Sequence, residues 1–142
     1  MDNSENRLVD VFFYGLYMDE EILLKKGVKI RNQRKAYVKD FVLRVGKMAT
    51  LLRAEQKEAH GLVYELTHKE IDILYKDSGL IEYVGEAILL HVENKSITAL
   101  VCNLLVPPLK DDKNEQYVEK LLVCMNKYKL PLPTEYQLNK KG

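Results

Sequence analysis

No stretch of the chain constrains its fold more than Val11-Phe12-Phe13-Tyr14-Gly15. Four apolar or aromatic residues in a row read as a strand covered on both faces. Gly15 breaks the run. Asp19, Glu20 and Glu21 then open a short helix through Ile22, Leu23 and Leu24, with Lys25 and Lys26 in its last turn and Gly27 beyond. Acids at the start, bases at the end and glycine after is the order that the helix dipole and a left-handed cap favour. A strand that turns at glycine into a helix start leaves backbone N–H groups pointing outward. Such a turn can hold a carboxylate or phosphate without a charged side chain. It can equally be no more than a tight turn.

Lys29, Arg31, Arg34 and Lys35 make a basic link, an anion patch or, better, a solvated connection. Residues 36–45 alternate patchily and predict one strand bent near Asp40, or two short ones. Met48–Arg53 predicts a short strand, 54–59 an exposed loop, and His60–Leu66 a strand with Leu62, Tyr64 and Leu66 on one face. Thr67 and Glu70 stand at capping-box spacing, and Leu66 with Ile71 can form the hydrophobic staple of a second helix. Ile71, Leu74 and Tyr75 are its apolar face, and Gly79 its stop. Tyr83–Val92 and Ile97–Val106 predict a hairpin around Glu93-Asn94-Lys95-Ser96. Asn103 is a polar group in that apolar text, satisfied in the core or turned into a pocket. Pro107-Pro108 stops the strand. Tyr117, Val118, Leu121, Leu122, Met125 and Tyr128 fall on one stripe of a third helix and read as core packing. Leu130-Pro131-Leu132-Pro133 ends it, and a coil with Tyr136 and Leu138 closes the chain.

These elements predict an α+β domain. The helices separate groups of strands instead of alternating with each one, which favours a small mixed β-barrel with surrounding helices over a doubly wound sheet. Residues 8–139 form a single domain behind a frayed polar arm, residues 1–7. With 142 residues, 46% of them hydrophobic and 30% charged, the chain can bury a real core. A net charge of +1 gives no reason to expect nucleic acid or an anionic membrane as partner. No apolar run approaches the ~18 residues of a membrane span, and the polar N-terminus does not look like a signal peptide. Cys102 and Cys124 lie in apolar patterns, as small buried side chains of a cytoplasmic protein or as one disulfide. His60, His68 and His91 are scattered and make no metal-ligand pair, so no metal is expected.

The order of motifs resembles the gamma-glutamylcyclotransferase-like family. Tyr14-Gly15 running into Met18 is similar to its Tyr-Gly-Ser-Asn-(Leu/Met) signature. Gly61-Leu62-Val63-Tyr64-Glu65-Leu66 is similar to its Gly-Val-Val-Tyr-x-Leu strand. Leu74-Tyr75-Lys76-Asp77-Ser78-Gly79, with Tyr83 four residues on, resembles Leu-Asp-x-x-Glu-Gly…Tyr. Leu130-Pro131-Leu132-Pro133-Thr134-Glu135-Tyr136 resembles the family's Leu-Pro-x-x-Tyr close. The likeness spans about residues 10–138. It implies a pocket in which Tyr14, Gly15, Leu16, Tyr17 and Met18, together with Tyr83, hold a small-molecule ligand of γ-glutamyl type. The signature loop's backbone N–H groups would take its carboxylate. In active members a glutamate before that Gly takes a proton from the substrate's α-ammonium. The freed amine attacks its own γ-carbonyl, giving 5-oxoproline and a released amine without any cofactor.

This chain departs from the pattern at the residue that does the chemistry. Ser78 occupies the glutamate position, and a serine hydroxyl is a very weak base near neutral pH. Leu16 stands for Ser and Tyr17 for Asn in the signature. Asp77, Glu82 and Glu86 are the carboxylates that could substitute, with Glu82 favoured because a loop can re-aim its side chain. Three readings follow. The chain is a binding protein that kept the pocket and lost or altered the chemistry. It is an active cyclotransferase with a relocated carboxylate. Or Ser78 is a nucleophile, disfavoured because no nucleophile-elbow sequence or suitably placed histidine accompanies it.

Overall fold

In the computed structural model, which describes residues 4–133 and Tyr136, strand β1 (Leu8–Phe13) becomes fully buried from Val11 onward. Its unbroken apolar text requires neighbours on both sides, and it has them. β1 pairs antiparallel with β3 (Ala49–Thr67) and parallel with β5 (Lys95–Leu104) through Val11 and Leu100. β2 (Arg34–Val45) forms a long hairpin with β3, and β4 (Tyr83–Val92) forms a second with β5. The strand order β1-β3-β2-β4-β5 closes into a barrel, so no sheet edge is left open. One parallel pair among antiparallel ones makes it mixed, as the element order predicts.

Gly61 shows how closely two of these strands approach. A β-carbon there would collide with the carbonyl of Phe13. The glycine that opens the Gly61-Leu62-Val63-Tyr64 strand is therefore a packing requirement of β1.

The helices end where their local chemistry says they should, with one exception. Asp19 caps α1 (Glu20–Lys25) by accepting from the Glu21 N–H at 3.0 Å, and Gly27 follows with φ +86°. Asn114 caps α3 (Glu115–Lys127), whose Leu121, Leu122, Cys124 and Met125 are buried. The capping box at Thr67 and Glu70 is present at the start of α2 (His68–Leu74). α2 stops four residues earlier than Ser78 suggests. Residues 75–79 instead form tight turns in which the Leu80 N–H reaches the Tyr75 carbonyl at 2.8 Å, and Gly79 takes φ +78°.

Two further expectations need correction. Residues 54–59 do not leave the sheet as a loop. β3 continues through them, with Ala54–Lys57 opposed by Asp40 alone. Asp40 and Gln56 take positive φ there, and the Gln56 N–H donates to the Asp40 carboxylate at 3.1 Å. A wide bulge absorbs the polar text without breaking the strand. β5 ends at Leu104, so Leu105 and Val106 stand exposed. Within the expected arm, Ser4–Arg7 make a turn in which the Arg7 N–H donates to the Ser4 carbonyl, and residues 1–3 lie outside the described residues. Thr134, Glu135 and Leu138 of the expected closing coil, and the expected domain end at 139, lie outside the described residues.

The basic link is also more than a solvated connection. Arg31 donates to Glu70 at 2.7 Å, and the Lys29 N–H donates to the same carboxylate at 2.9 Å. Glu70 thus closes its own capping box through the Thr67 N–H at 2.9 Å and clamps the chain after α1 onto α2. Burial pushes its carboxyl pKa up. The hydrogen bonds from Arg31, Thr67 and Lys29 and the Arg31 charge more than offset this, and the pKa lies below its ordinary value. A lowered carboxyl pKa stabilises the fold above the unfolded-state value, and that stability is lost as pH falls through the folded value. Thr67→Ala is expected to lower stability by about 1 kcal/mol through the lost cap. Urea unfolding should show Glu70→Gln less stable than wild type at neutral pH. The gap should narrow between about pH 5 and pH 3. A constant gap across that range would contradict the role given to the carboxylate.

Candidate functional site

β1 carries the chain to Tyr14 and Gly15, and a 3-10 turn over Leu16–Met18 leads it into α1. Inside this turn the Met18 N–H returns to the Gly15 carbonyl at 3.0 Å and the Asp19 N–H to the Leu16 carbonyl at 3.1 Å. The Leu16 N–H donates to the Tyr117 hydroxyl at 3.1 Å, which ties the turn to α3. The N–H groups of Gly15 and Tyr17 find no acceptor among the described residues. A β-carbon on Gly15 would collide with the Tyr117 hydroxyl, so the phenol that takes the Leu16 N–H would have to shift for any side chain to fit at Gly15.

Beside the turn lies a cavity of about 410 Å³. Tyr14, Gly15, Leu16 and Tyr17 line one part of it, and Tyr75, Leu80 and Tyr83 another. Phe13, Ile22, Met48, Ala49 and Tyr117 complete the apolar surface, and Lys26 and Lys47 supply its charge. The rings pack on one another, the first pair edge to face and the second tilted. Tyr17 contacts Tyr75 at 5.5 Å and 89°, and Tyr75 contacts Tyr83 at 5.3 Å and 57°.

The phenols are largely committed to backbone. Tyr14 donates to the Cys102 carbonyl at 2.7 Å, Tyr83 to the Ala49 carbonyl at 2.5 Å, and Tyr17 to the Leu74 carbonyl at 2.6 Å. Burial, reinforced by neighbouring phenols, holds Tyr14 and Tyr75 well above the ordinary phenol pKa. Burial likewise raises Tyr17, Tyr83 and Tyr117. All five are neutral near pH 7 and can donate, accept or pack but cannot act as general bases. Burial also pushes the Cys102 thiol up to about 11, so it is not a ready nucleophile. Both cysteines are free and buried.

The structure places the expected site residues unevenly. Tyr14, Gly15, Leu16, Tyr17 and Tyr83 line the cavity together. Met18 does not. It is fully buried, and its carbonyl accepts from the Tyr64 hydroxyl at 2.6 Å. Ser78 is outside the lining as well. Its hydroxyl donates to the Ile73 carbonyl at 2.6 Å and accepts from the Lys26 ammonium at 3.0 Å. Glu82 and Asp77 are exposed and line nothing in the cavity. Glu86 is exposed and accepts from the Asn103 amide at 3.4 Å. Asn103 itself is satisfied in the core, where it also accepts from the Leu51 N–H at 3.3 Å.

Sequence reading missed Tyr75, Tyr117, Lys26 and Lys47 as lining residues. Tyr75 and Tyr117 carry the same helical spacing as core residues, and nothing in the spacing separates a pocket wall from a packed interior. A second depression of about 500 Å³ lies around Lys39, Asp40, Gln56 and His60. His60 is 3.6 Å from Glu58, but no cluster that could hold a metal ion occurs among the described residues.

No protein-family model and no curated protein sequence matches the chain. Solved structures do match it. A gamma-glutamyl cyclotransferase superposes with TM-score 0.74 at 19% identity, covering 95% of this chain and 87% of that one. An uncharacterized protein from Homo sapiens gives TM-score 0.70 at 22% identity, over 96% and 88% of the two chains. A gamma-glutamyl cyclotransferase specific to glutathione, from yeast, gives TM-score 0.63 at 12% identity, over 92% and 91%. The chain has the gamma-glutamyl cyclotransferase-like fold. No helix among the described residues is long and apolar enough to cross a membrane.

The collision at Gly15 yields a double-mutant test. Gly15→Ala is expected to destabilise the protein by about 1–3 kcal/mol through overpacking. Tyr117→Phe alone should cost about 1 kcal/mol for the lost Leu16 hydrogen bond. In the double variant the added methyl has no hydroxyl to strike, so the combined loss measured by urea unfolding should fall below the sum. Strict additivity would contradict the contact.

Proposed function

We propose that this chain binds a γ-glutamyl compound or a related small amino acid derivative in the cavity beside the Gly15 turn, and that it does not cyclise its ligand. One observation carries the second half: no carboxylate lines the cavity among the described residues. Cyclisation needs a group that takes a proton from the substrate's ammonium, and neutral buried phenols cannot do this near pH 7. Ser78, at the position where the resembled family has glutamate, has its hydroxyl engaged with Ile73 and Lys26. The carboxylates of Asp77, Glu82 and Glu86 are exposed and outside the lining, which gives no support to a relocated base. The first half is supported by the fold, by the free N–H groups of Gly15 and Tyr17, and by a cavity whose about 410 Å³ fits a small molecule.

A thermal-shift screen with glutamate, glutamine, γ-glutamyl amino acids, γ-glutamyl-ε-lysine and 5-oxoproline tests the binding. A ligand at about 100 times its Kd should stabilise the fold by about 2.7 kcal/mol, a shift of a few degrees for a domain of this size. The same compounds incubated with the protein should release no 5-oxoproline above the protein-free rate. Catalytic release would overturn the non-catalytic reading, and the absence of any shift would overturn the binding reading.

A further inference from the structure

The charged side chains that line this cavity are all cations. The N–H groups of Gly15 and Tyr17 have no acceptor among the described residues. The Tyr117 hydroxyl accepts from the Leu16 N–H and has no acceptor of its own among them. Lys26 gives one hydrogen bond, to Ser78, out of the three donors an ammonium has. Neither Lys26 nor Lys47 is in an ion pair among the described residues. Against these the lining offers no carboxylate, imidazole or side-chain amide, so its side-chain acceptors are neutral phenol oxygens. The Ala49 and Leu74 carbonyls already take phenol protons.

This one-sided chemistry discriminates between ligands of the same size. A free amino acid carries an ammonium group beside its carboxylate. In this cavity the ammonium would lose water without gaining a charged acceptor, and would face two like charges. Acylating or cyclising that nitrogen turns it into a neutral amide and removes the penalty. The carboxylate gains in either case, from the lysines and the free N–H groups. Aromatic faces can attract cations. Here, however, Tyr17 and Tyr75 turn edge to face on each other, and the two lysine charges oppose a third cation. The remaining walls, from Phe13, Leu16 and the tyrosine rings, suit an apolar or aromatic body.

We propose that the cavity selects carboxylate anions that carry no ammonium group, namely N-acylated or lactam amino acids, over the corresponding free amino acids. The proposal rests on the binding reading given above and narrows it: among the amino acid derivatives named there, the cavity favours those whose α-nitrogen is acylated or cyclised over γ-glutamyl compounds, which keep an α-ammonium.

Calorimetric titration of the full chain with matched probes tests it. One set is 5-oxoproline against glutamine. The other is N-acetylphenylalanine against phenylalanine and phenylalaninamide. In whichever set binds, the acylated or cyclised acid is expected to bind at least about tenfold more tightly than its ammonium-bearing counterpart. The Lys26→Met/Lys47→Met double variant should weaken that acid by about tenfold or more. Both side chains are exposed, and urea unfolding of the variant checks that it folds. Free amino acids or the amide binding as tightly as the acylated acid would overturn the selectivity while leaving the cavity as a binding site. An unchanged affinity in the lysine variant would do the same. No binding by these probes or by any γ-glutamyl compound would take down the binding reading as well.

Discussion

Everything near the candidate site depends on how β1 closes the barrel. This six-residue strand pairs with β3 on one side and β5 on the other, and Gly61 lets β3 come close enough to touch the Phe13 carbonyl. A strand held on both flanks has little freedom in where it ends. The chain must turn at Gly15, where any side chain would collide with Tyr117 of α3, whose hydroxyl accepts the Leu16 N–H. The position of the turn is therefore a consequence of barrel closure and of one phenol. The unmatched N–H groups of Gly15 and Tyr17 follow from that geometry.

The same economy appears across the cavity. The Ala49 carbonyl accepts from Tyr83 at 2.5 Å, with the Tyr14 hydroxyl 3.3 Å away, so the start of β3 spends an acceptor that would otherwise be open to a ligand. Tyr17 spends its hydroxyl on the last carbonyl of α2. Ser78 spends its own on Ile73 and draws in Lys26. What is left to line the cavity is cations, neutral phenols and apolar rings. With no carboxylate in the lining among the described residues, such a site supports the proposed binding of an anion and the absence of a base.

Much of the fold was legible because local chemistry and tertiary packing agree. The apolar run to Tyr14, the Thr67–Glu70 box and the α3 stripe each satisfied one local rule, and the barrel uses all three. The polar text of residues 54–59 misled because polarity marks solvent exposure, and a bulged strand can be as exposed as a loop. The Arg31–Glu70 pair was invisible since it joins residues 39 positions apart. The site was half legible. The turn residues were recognisable from motif order, but Tyr75 and Tyr117 hide among core positions, and Lys26 and Lys47 look like ordinary surface lysines. Ser78 drew attention through its place in a motif, yet its hydroxyl serves the end of α2. Met18 stood in the same motif as the turn but points its backbone, through Tyr64, into the core.

The most direct test of the account is an amide NMR titration of the full chain with 5-oxoproline, a carboxylate without an ammonium group. The largest shift changes are expected at Gly15 and Tyr17, whose N–H groups have no acceptor among the described residues, with smaller ones at Leu16 and Tyr83. Changes centred on Lys39, Gln56 and His60 would move the site to the other depression and contradict the central claim. So would a spectrum that stays unchanged at saturating ligand.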